Sequence, residues 1–402
     1  MICPRSLWFS GVMGATLLLA GACSDEGEEG GSAPRDGGGA AAGVAGSSGV
    51  TGAGGSSGRG GGTSTGGTSG SGSGGNSGSA GTATGGTGGN GGSAGSGPSD
   101  AATPDGFWDT SGIPAAKNVM IFKFLNRTNG KYQDSEIYWS FKSGSISELH
   151  SIAEQPIYDM PANSSGRLYF YLCAAGDATC AADPTKSKYY DFIEHTIGAD
   201  QYNGNTTRVD AFGIKIAMRL HCADGFDRAV GENYATFQED RAATFQAFID
   251  SVPDEFDALA QPPHAPYRIV QPGAAGFDPG EPHEHYYDAF VDEMWAANGI
   301  TIPKPGPNGS GLAAHPDLSA AIFRHVGNAP GTFDAAGKLL NKNLWEDAST
   351  FYRAAPANYY ARFWHERAID GKAYGFPYDD VGGYSSYVSH KSPQYLLVAV
   401  GW

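Results

Sequence analysis

The sequence has 402 residues, with 42 acidic against 26 basic side chains and a formal net charge of −16. Phosphate recognition needs clustered Lys and Arg, so this balance excludes nucleic acid as an expected partner. It suits neutral polymers such as polysaccharides without pointing to them.

Residues 1–23 read as an export signal. Arg5 is the positive n-region, and Leu7 to Ala20 form an apolar stretch too short and too interrupted by Gly for a membrane-spanning helix of about 20 residues. Leu19-Ala20-Gly21-Ala22-Cys23 resembles a bacterial lipobox, which makes Cys23 the expected lipidation site. The expected location is therefore outside the cytoplasm, held to a bacterial membrane (the outer membrane or cell surface) through that lipid alone. Residues 24–104 follow as a tether. Between positions 24 and 100 lie 32 of the 61 glycines, and no aromatic residue occurs from Ser10 to Gly106. Such a stretch cannot bury enough apolar surface to offset the entropy of ordering. As a Gly/Ser coil of about 80 residues it spans about 50 Å root-mean-square.

Residues 105–402 carry nearly all the aromatics and are long enough for a large core. Val119 to Phe122, Ile137 to Trp139 and Arg167 to Tyr171 are short β-branched and aromatic runs. Turn residues at Asn126 to Gly130, at Ser143-Gly144 and at Ser164 to Gly166 separate them, the pattern of a β-sandwich. Tyr189 to Ile197 and Thr206 to Leu220 are further predicted strands. Phe237, Arg241, Phe245, Phe248 and Ile249 then recur at helical spacing until Pro253, and Tyr286 to Asn298 predicts a second helix. Strand-like character returns at about Phe351 and continues to Trp402. The expected architecture is mainly β: a core at about 115–225 and 351–402, a helix-rich α/β insertion at about 226–350, and a cleft between them. Cys173 and Cys180 lie seven apart around Gly176-Asp177, close enough for a small disulfide loop in an oxidising compartment. Cys222 is then a buried thiol, or pairs with one of the other two; the sequence leaves this open.

The most informative stretch is Phe192-Ile193-Glu194-His195-Thr196-Ile197, followed by Asn205-Thr206-Thr207-Arg208-Val209-Asp210-Ala211-Phe212-Gly213. It reads as two strands around a loop, each with one carboxylate in an apolar-aromatic setting. In a symmetric hairpin Glu194 and Asp210 face each other across the ladder. Two carboxylates flanking a sugar bond are what glycoside hydrolysis requires, one to protonate the leaving oxygen and one to activate water or attack. The plainer alternative is that both point at solvent.

This stretch resembles glycoside hydrolase family 64, the β-1,3-glucanases that release laminaripentaose, and more distantly the thaumatin-like proteins. There an aromatic-x-Glu-aromatic-Thr-Leu strand carries the acid and a Val-Asp-x-Phe strand the base. Glu194 and Asp210 match those positions, sixteen residues apart, and Thr196 and Thr207 match positions that line the glucan groove. His195 departs from the pattern by standing where an aromatic is common. Asn358 to Arg362, His365-Glu366 and Asp370 to Gly383 are similar to the same family's C-terminal block, and the resemblance spans about residues 117–402. It implies a thaumatin-like β core and an inverting hydrolysis of β-1,3-glucan to short laminari-oligosaccharides, with Glu194 as acid and Asp210 as base. Asp379 is implied in binding sugar hydroxyls or in supporting the base, and Tyr378 in sugar binding, while His365 and Lys372 read as structural. Inversion needs carboxyl groups about 6.5–9.5 Å apart, whereas residues directly opposite in a ladder have Cβ atoms about 5 Å apart. Burial near Tyr190 and Phe192 is expected to favour the protonated acid.

Pro282-His283-Glu284-His285 lacks the spacing of zinc hydrolases and reads as a loop leading into the second helix. Trp295, Trp345 and Trp364 read first as core. No metal or organic cofactor is expected, and the protein is expected to act as a monomer on β-1,3-glucan. The rival reading is a non-catalytic β-glucan-binding surface protein on a thaumatin-like scaffold.

Overall fold

The structure is a computed structural model that describes residues 103–162 and 164–402. The export signal, Cys23 and nearly all of the tether lie outside the described residues. In chain order the first strands are β1 (Met120–Asn126), β2 (Ile137–Ser143), β3 (Ile146–Ser151), β4 (Ile157–Met160), β5 (Ser164–Leu172) and β6 (Tyr190–Ile197). They are followed by β7 (Gln201–Thr206), β8 (Ala211–Phe212), β9 (Lys215–Cys222), β10 (Asp227–Gly231), β11 (Ile269–Val270), β12 (Tyr387–Lys391) and β13 (Pro393–Gly401). A five-stranded sheet runs β10-β9-β13-β1-β4, with β1 and β13 parallel, and a six-stranded antiparallel sheet runs β12-β7-β6-β5-β2-β3. The two-residue strands β8 and β11 pair separately.

The fold is thus mostly sheet, and one apolar cluster draws from both larger sheets. Met120, Phe122 and Phe124 of β1, Ile216, Met218 and Leu220 of β9, and Leu396, Val398 and Val400 of β13 meet Trp139, Phe141, Leu168, Phe170, Ile193 and Ile197. Each fully buried aromatic or aliphatic side chain contributes about 1.5–3 kcal/mol. The sequences of the two sheets differ because their second faces differ. Leu396 to Val400 is buried at every position, since Phe107 and Phe237 cover Ala217 and Ala399 on the far face. By contrast β7 alternates between buried and partly exposed residues, and Arg167 and Tyr169 of β5 and Glu194 and Thr196 of β6 are partly exposed beside buried neighbours, so the six-stranded sheet keeps an open face.

Helices concentrate between β10 and β12: α2 (Tyr234–Gln238), α3 (Arg241–Ser251), α4 (Asp288–Asn298), α5 (Pro316–Arg324) and α6 (Tyr359–His365), after a short α1 (Ala178–Ala182). Of these, α3 to α6 share a second apolar cluster that includes Phe212, Phe248, Met294, Phe323, Tyr360 and Trp364. Three expectations are corrected. The run Phe237 to Ile249 is broken at Glu239-Asp240 into α2 and α3. Thr206 to Leu220 is not one strand, because β7 ends at Thr206 and β9 begins at Lys215. Residues 351–386 are α6 and tight turns, not strands; their aromatics pack into the helical cluster, and sheet resumes only at β12. Cys173 and Cys180 form a disulfide, and Cys222 is a buried free thiol.

Candidate active site

Glu194 lies on the open face of β6, because its neighbours Ile193, His195 and Ile197 point into the core. The ladder places Arg167 of β5 opposite it on one side and Asn205 of β7 opposite it on the other. One step along, Thr196 stands between Ser165 and Asn203, and Thr196 Oγ1 and Ser165 Oγ are 2.9 Å apart. One step the other way, Phe192 pairs with Tyr169, and beyond them Tyr190 pairs with Tyr171. The face therefore changes from hydroxyls and amides to aromatic rings, with the carboxylate at the boundary.

Asp210 does not sit across the ladder from Glu194. It lies in the bend between β7 and β8, and what joins it to Glu194 is Arg167. Arg167 Nε donates to Glu194 Oε1 (3.0 Å) and Nη1 donates to Asp210 Oδ2 (3.1 Å), while the guanidinium rests 4.1 Å from the centre of the Phe192 ring. The two carboxylates thus take different nitrogens of one guanidinium. Side-chain exposure is 28% for Glu194 and 49% for Asp210, so both are open to a ligand.

The bend carrying Asp210 is held from beneath. Arg208 is buried, donating to Asp191 Oδ2 (2.8 Å) and Glu232 Oε1 (2.7 Å). Burial acts against its charge, but Asp191 and Glu232 outweigh that and raise its pKa. Asp191 also accepts the backbone N–H of Gly213 (2.8 Å). A Cβ at Gly213 would lie 1.9 Å from the Tyr190 carbonyl oxygen, so only glycine lets the chain pass there. The Tyr360 hydroxyl donates to the Arg208 carbonyl (2.6 Å), and the Arg208 N–H donates to the Tyr374 carbonyl (2.8 Å).

Other expected site residues are redistributed. Thr207 is buried, and its Oγ1 accepts the Val209 N–H (3.2 Å), so it shapes the bend and does not line the open face. Asp379 has no exposed surface. It accepts from Arg324 Nη2 (3.0 Å) and from the Gly375 N–H (2.8 Å), and its Oδ2 is 2.9 Å from His365 Nε2. Burial alone would raise its carboxyl; His365, Arg324 and the Gly375 N–H outweigh burial and lower it. Its oxygens are thus taken up by partners inside the fold. Of the Asp-Asp pair it is Asp380 that is exposed; burial raises the pKa of Tyr374, and the charges of Asp380, Asp379 and Glu194 add to that. Tyr378 adopts a φ of 74°, and its hydroxyl lies 3.5 Å from the Ala313 carbonyl oxygen. Trp295 and Trp364 are buried in the helical cluster. His195 occupies an aromatic slot, its ring 4.8 Å from Phe141 and 5.3 Å from Phe122.

Sequence reasoning missed Arg167, Asn205, Tyr374 and Asp380. Arg167 alternates with Leu168 and Phe170, a parity signal for the open face, but its partners are 27 and 43 residues away. His285 is exposed and paired with Glu284 and Asp288. Among the described residues no group of three or more His, Cys, Asp or Glu side chains is arranged to hold a metal ion. A cavity of about 790 Å³ bounded by Asn129, Tyr189, Arg241, Phe245 and Trp402 is lined by neither Glu194 nor Asp210.

The family model for glycoside hydrolase family 64, described as β-1,3-glucanase, matches residues 158–302 and 304–400, and the chain belongs to that family. It is 30% identical to a laminaripentaose-producing β-1,3-glucanase of Paenibacillus barengoltzii whose structure was solved with laminarihexaose. That likeness has a TM-score of 0.57 over 73% of this chain and 78% of that one. Another structure of a laminaripentaose-producing β-1,3-glucanase from that organism gives 29% identity and a TM-score of 0.58 over the same shares. A glucan endo-1,3-β-glucosidase of Arthrobacter sp. (strain YCWD3) is 25% identical over 258 residues, 53% of this chain. The chain spans 45% of that relative's length.

Proposed function

We propose that the protein hydrolyses β-1,3-glucan, with Glu194 protonating the glycosidic oxygen and Asp210 taking a proton from the attacking water. The observation that carries this reading is the single Arg167 guanidinium between the two carboxylates on an open, polar sheet face. Carboxylates held on separate nitrogens of one guanidinium are spaced by it, not in contact. The family resemblance points to an inverting pair, which works at roughly 6.5–9.5 Å with a water between base and anomeric carbon. Family membership supports the substrate, and short laminari-oligosaccharides are the expected products.

In this reading the core is thaumatin-like, and the helix-rich stretch between β10 and β12 forms the second wall of a cleft over the open face. Thr196, Ser165 and Asn203 meet sugar hydroxyls on one side of Glu194, and Tyr169 and Tyr190 supply ring surface on the other. The protein acts as a monomer, exported and anchored through a lipid on Cys23, with residues 24–104 as its tether. The test is incubation with curdlan, following released sugar and the anomeric form of the first product by NMR. Release of α-anomers supports the reading. β-Anomers refute inversion, and binding without release gives the protein to the non-catalytic glucan-binding class.

A further inference from the structure

Glu194 has two cross-strand neighbours of different hydrogen-bonding character, Arg167, which has only donors, and Asn205, whose amide carries an acceptor. On the β5 side Arg167 Nε donates to Glu194 Oε1. On the β7 side Asn205 is the direct ladder partner, on the same face. Its Oδ1 is buried and has no hydrogen-bond partner. A buried acceptor without a donor is destabilising, so a hydrogen supplied to it would be favourable. An ionised carboxylate has none to give, while a carboxylic acid has one. Paired positions in an antiparallel ladder hold Cβ atoms about 4.5–5.5 Å apart, within reach of a Glu–Asn contact.

From this pairing we infer that Asn205 is a positioning residue that seats the acid form of Glu194. The proton sits on Oε2 and is held by Asn205 Oδ1, while Arg167 fixes Oε1. When a glucan chain occupies the face, the hydrogen passes from Oε2 to the glycosidic oxygen as the anomeric C–O bond breaks. Water adds to the anomeric carbon and gives its proton to Asp210. Besides Arg167, the titratable groups around Glu194 include Asp210, reached through that guanidinium, and Tyr374. Tyr387 stands beyond Asn205 on β12. Each keeps its place in an Asn205 variant, so a change at Asn205 reports the one contact.

The inference rests on the hydrolase reading, and the experiment separates the two. In the full chain with ¹³C-labelled glutamate carboxyls, the Glu194 signal is identified by its loss in Glu194→Gln and titrated by NMR. Asn205→Ala is expected to lower its midpoint by roughly 0.4–1 pH unit, the equivalent of one neutral hydrogen bond. The alkaline limb of kcat/KM on laminarin shifts down equally, and the acid limb, set by Asp210, stays in place. Asn205→Val also lacks the acceptor, suits a strand, and is expected to shift the midpoint the same way. Hydrolysis by the wild type with an unmoved midpoint overturns the inference alone. A midpoint that rises means the amide presents its NH₂ to Glu194, and also overturns it. Wild-type protein that hydrolyses no glucan overturns the functional reading beneath it.

Discussion

His195→Phe gives a stability test with a worked magnitude. The imidazole is fully buried between Phe122 and Phe141, with no hydrogen-bond partner for either ring nitrogen. Burial lowers its pKa from 6.5 to about 3. The sign follows from which state binds the proton. Above pH 6.5 the ring is neutral in both folded and unfolded chains, and its contribution to stability is fully present. Below 6.5 the unfolded chain takes up a proton that the folded chain refuses, so stability falls with pH and levels off only near 3. The slope for one group is about 1.4 kcal/mol per pH unit, which gives roughly 2 kcal/mol lost between pH 6.5 and pH 5.0. Phenylalanine fills the same aromatic slot and cannot take up the proton. Urea unfolding of both proteins at pH 7.5 and pH 5.0 is the assay. The variant's stability relative to wild type is expected to improve by about 2 kcal/mol at the lower pH. An equal difference at both pH values would refute the buried, neutral imidazole.

Arg208→Met leaves Asp191 and Glu232 buried without their counter-ion and is expected to cost about 3–5 kcal/mol in denaturant titration. Asp379→Ala is expected to destabilise by a similar amount, since it strips Arg324 of a buried partner. In protein that remains folded, KM for a laminari-oligosaccharide is expected to stay near wild type; a large rise would restore Asp379 as a sugar ligand. Replacing Cys173 and Cys180 together by alanine opens a short loop and is expected to cost roughly 2–3 kcal/mol, read from the shift in urea midpoint.

The strand that carries Glu194 was legible in the sequence because Ile193 and Ile197 fix one face of β6, so Glu194 must take the other. Alternation could not show that His195 belongs with the isoleucines, since periodicity counts it as polar. The place of Asp210 was harder to read. Asp210 sits on a bend fixed by Arg208, Asp191 and Gly213, contacts made across the fold, and a run of strand-like residues from Thr206 to Leu220 conceals that bend. The aromatics at 351–386 misled for a similar reason. Residues such as Tyr360 and Trp364 suit strands by propensity, yet here they fill a helical cluster. The Asp379-Asp380 pair shows what local pattern leaves undecided, namely which of two adjacent carboxylates faces solvent. Arg324 decided it, from 55 residues away.

Turnover of curdlan by Glu194→Gln and Asp210→Asn, beside wild type and with glucan binding measured for all three, tests the central claim most directly. Each variant is expected to bind glucan and to lose about 100- to 10,000-fold in kcat, the range for removing a general acid or base. Either variant turning over at close to the wild-type rate would contradict the assignment of Glu194 and Asp210 as the catalytic pair.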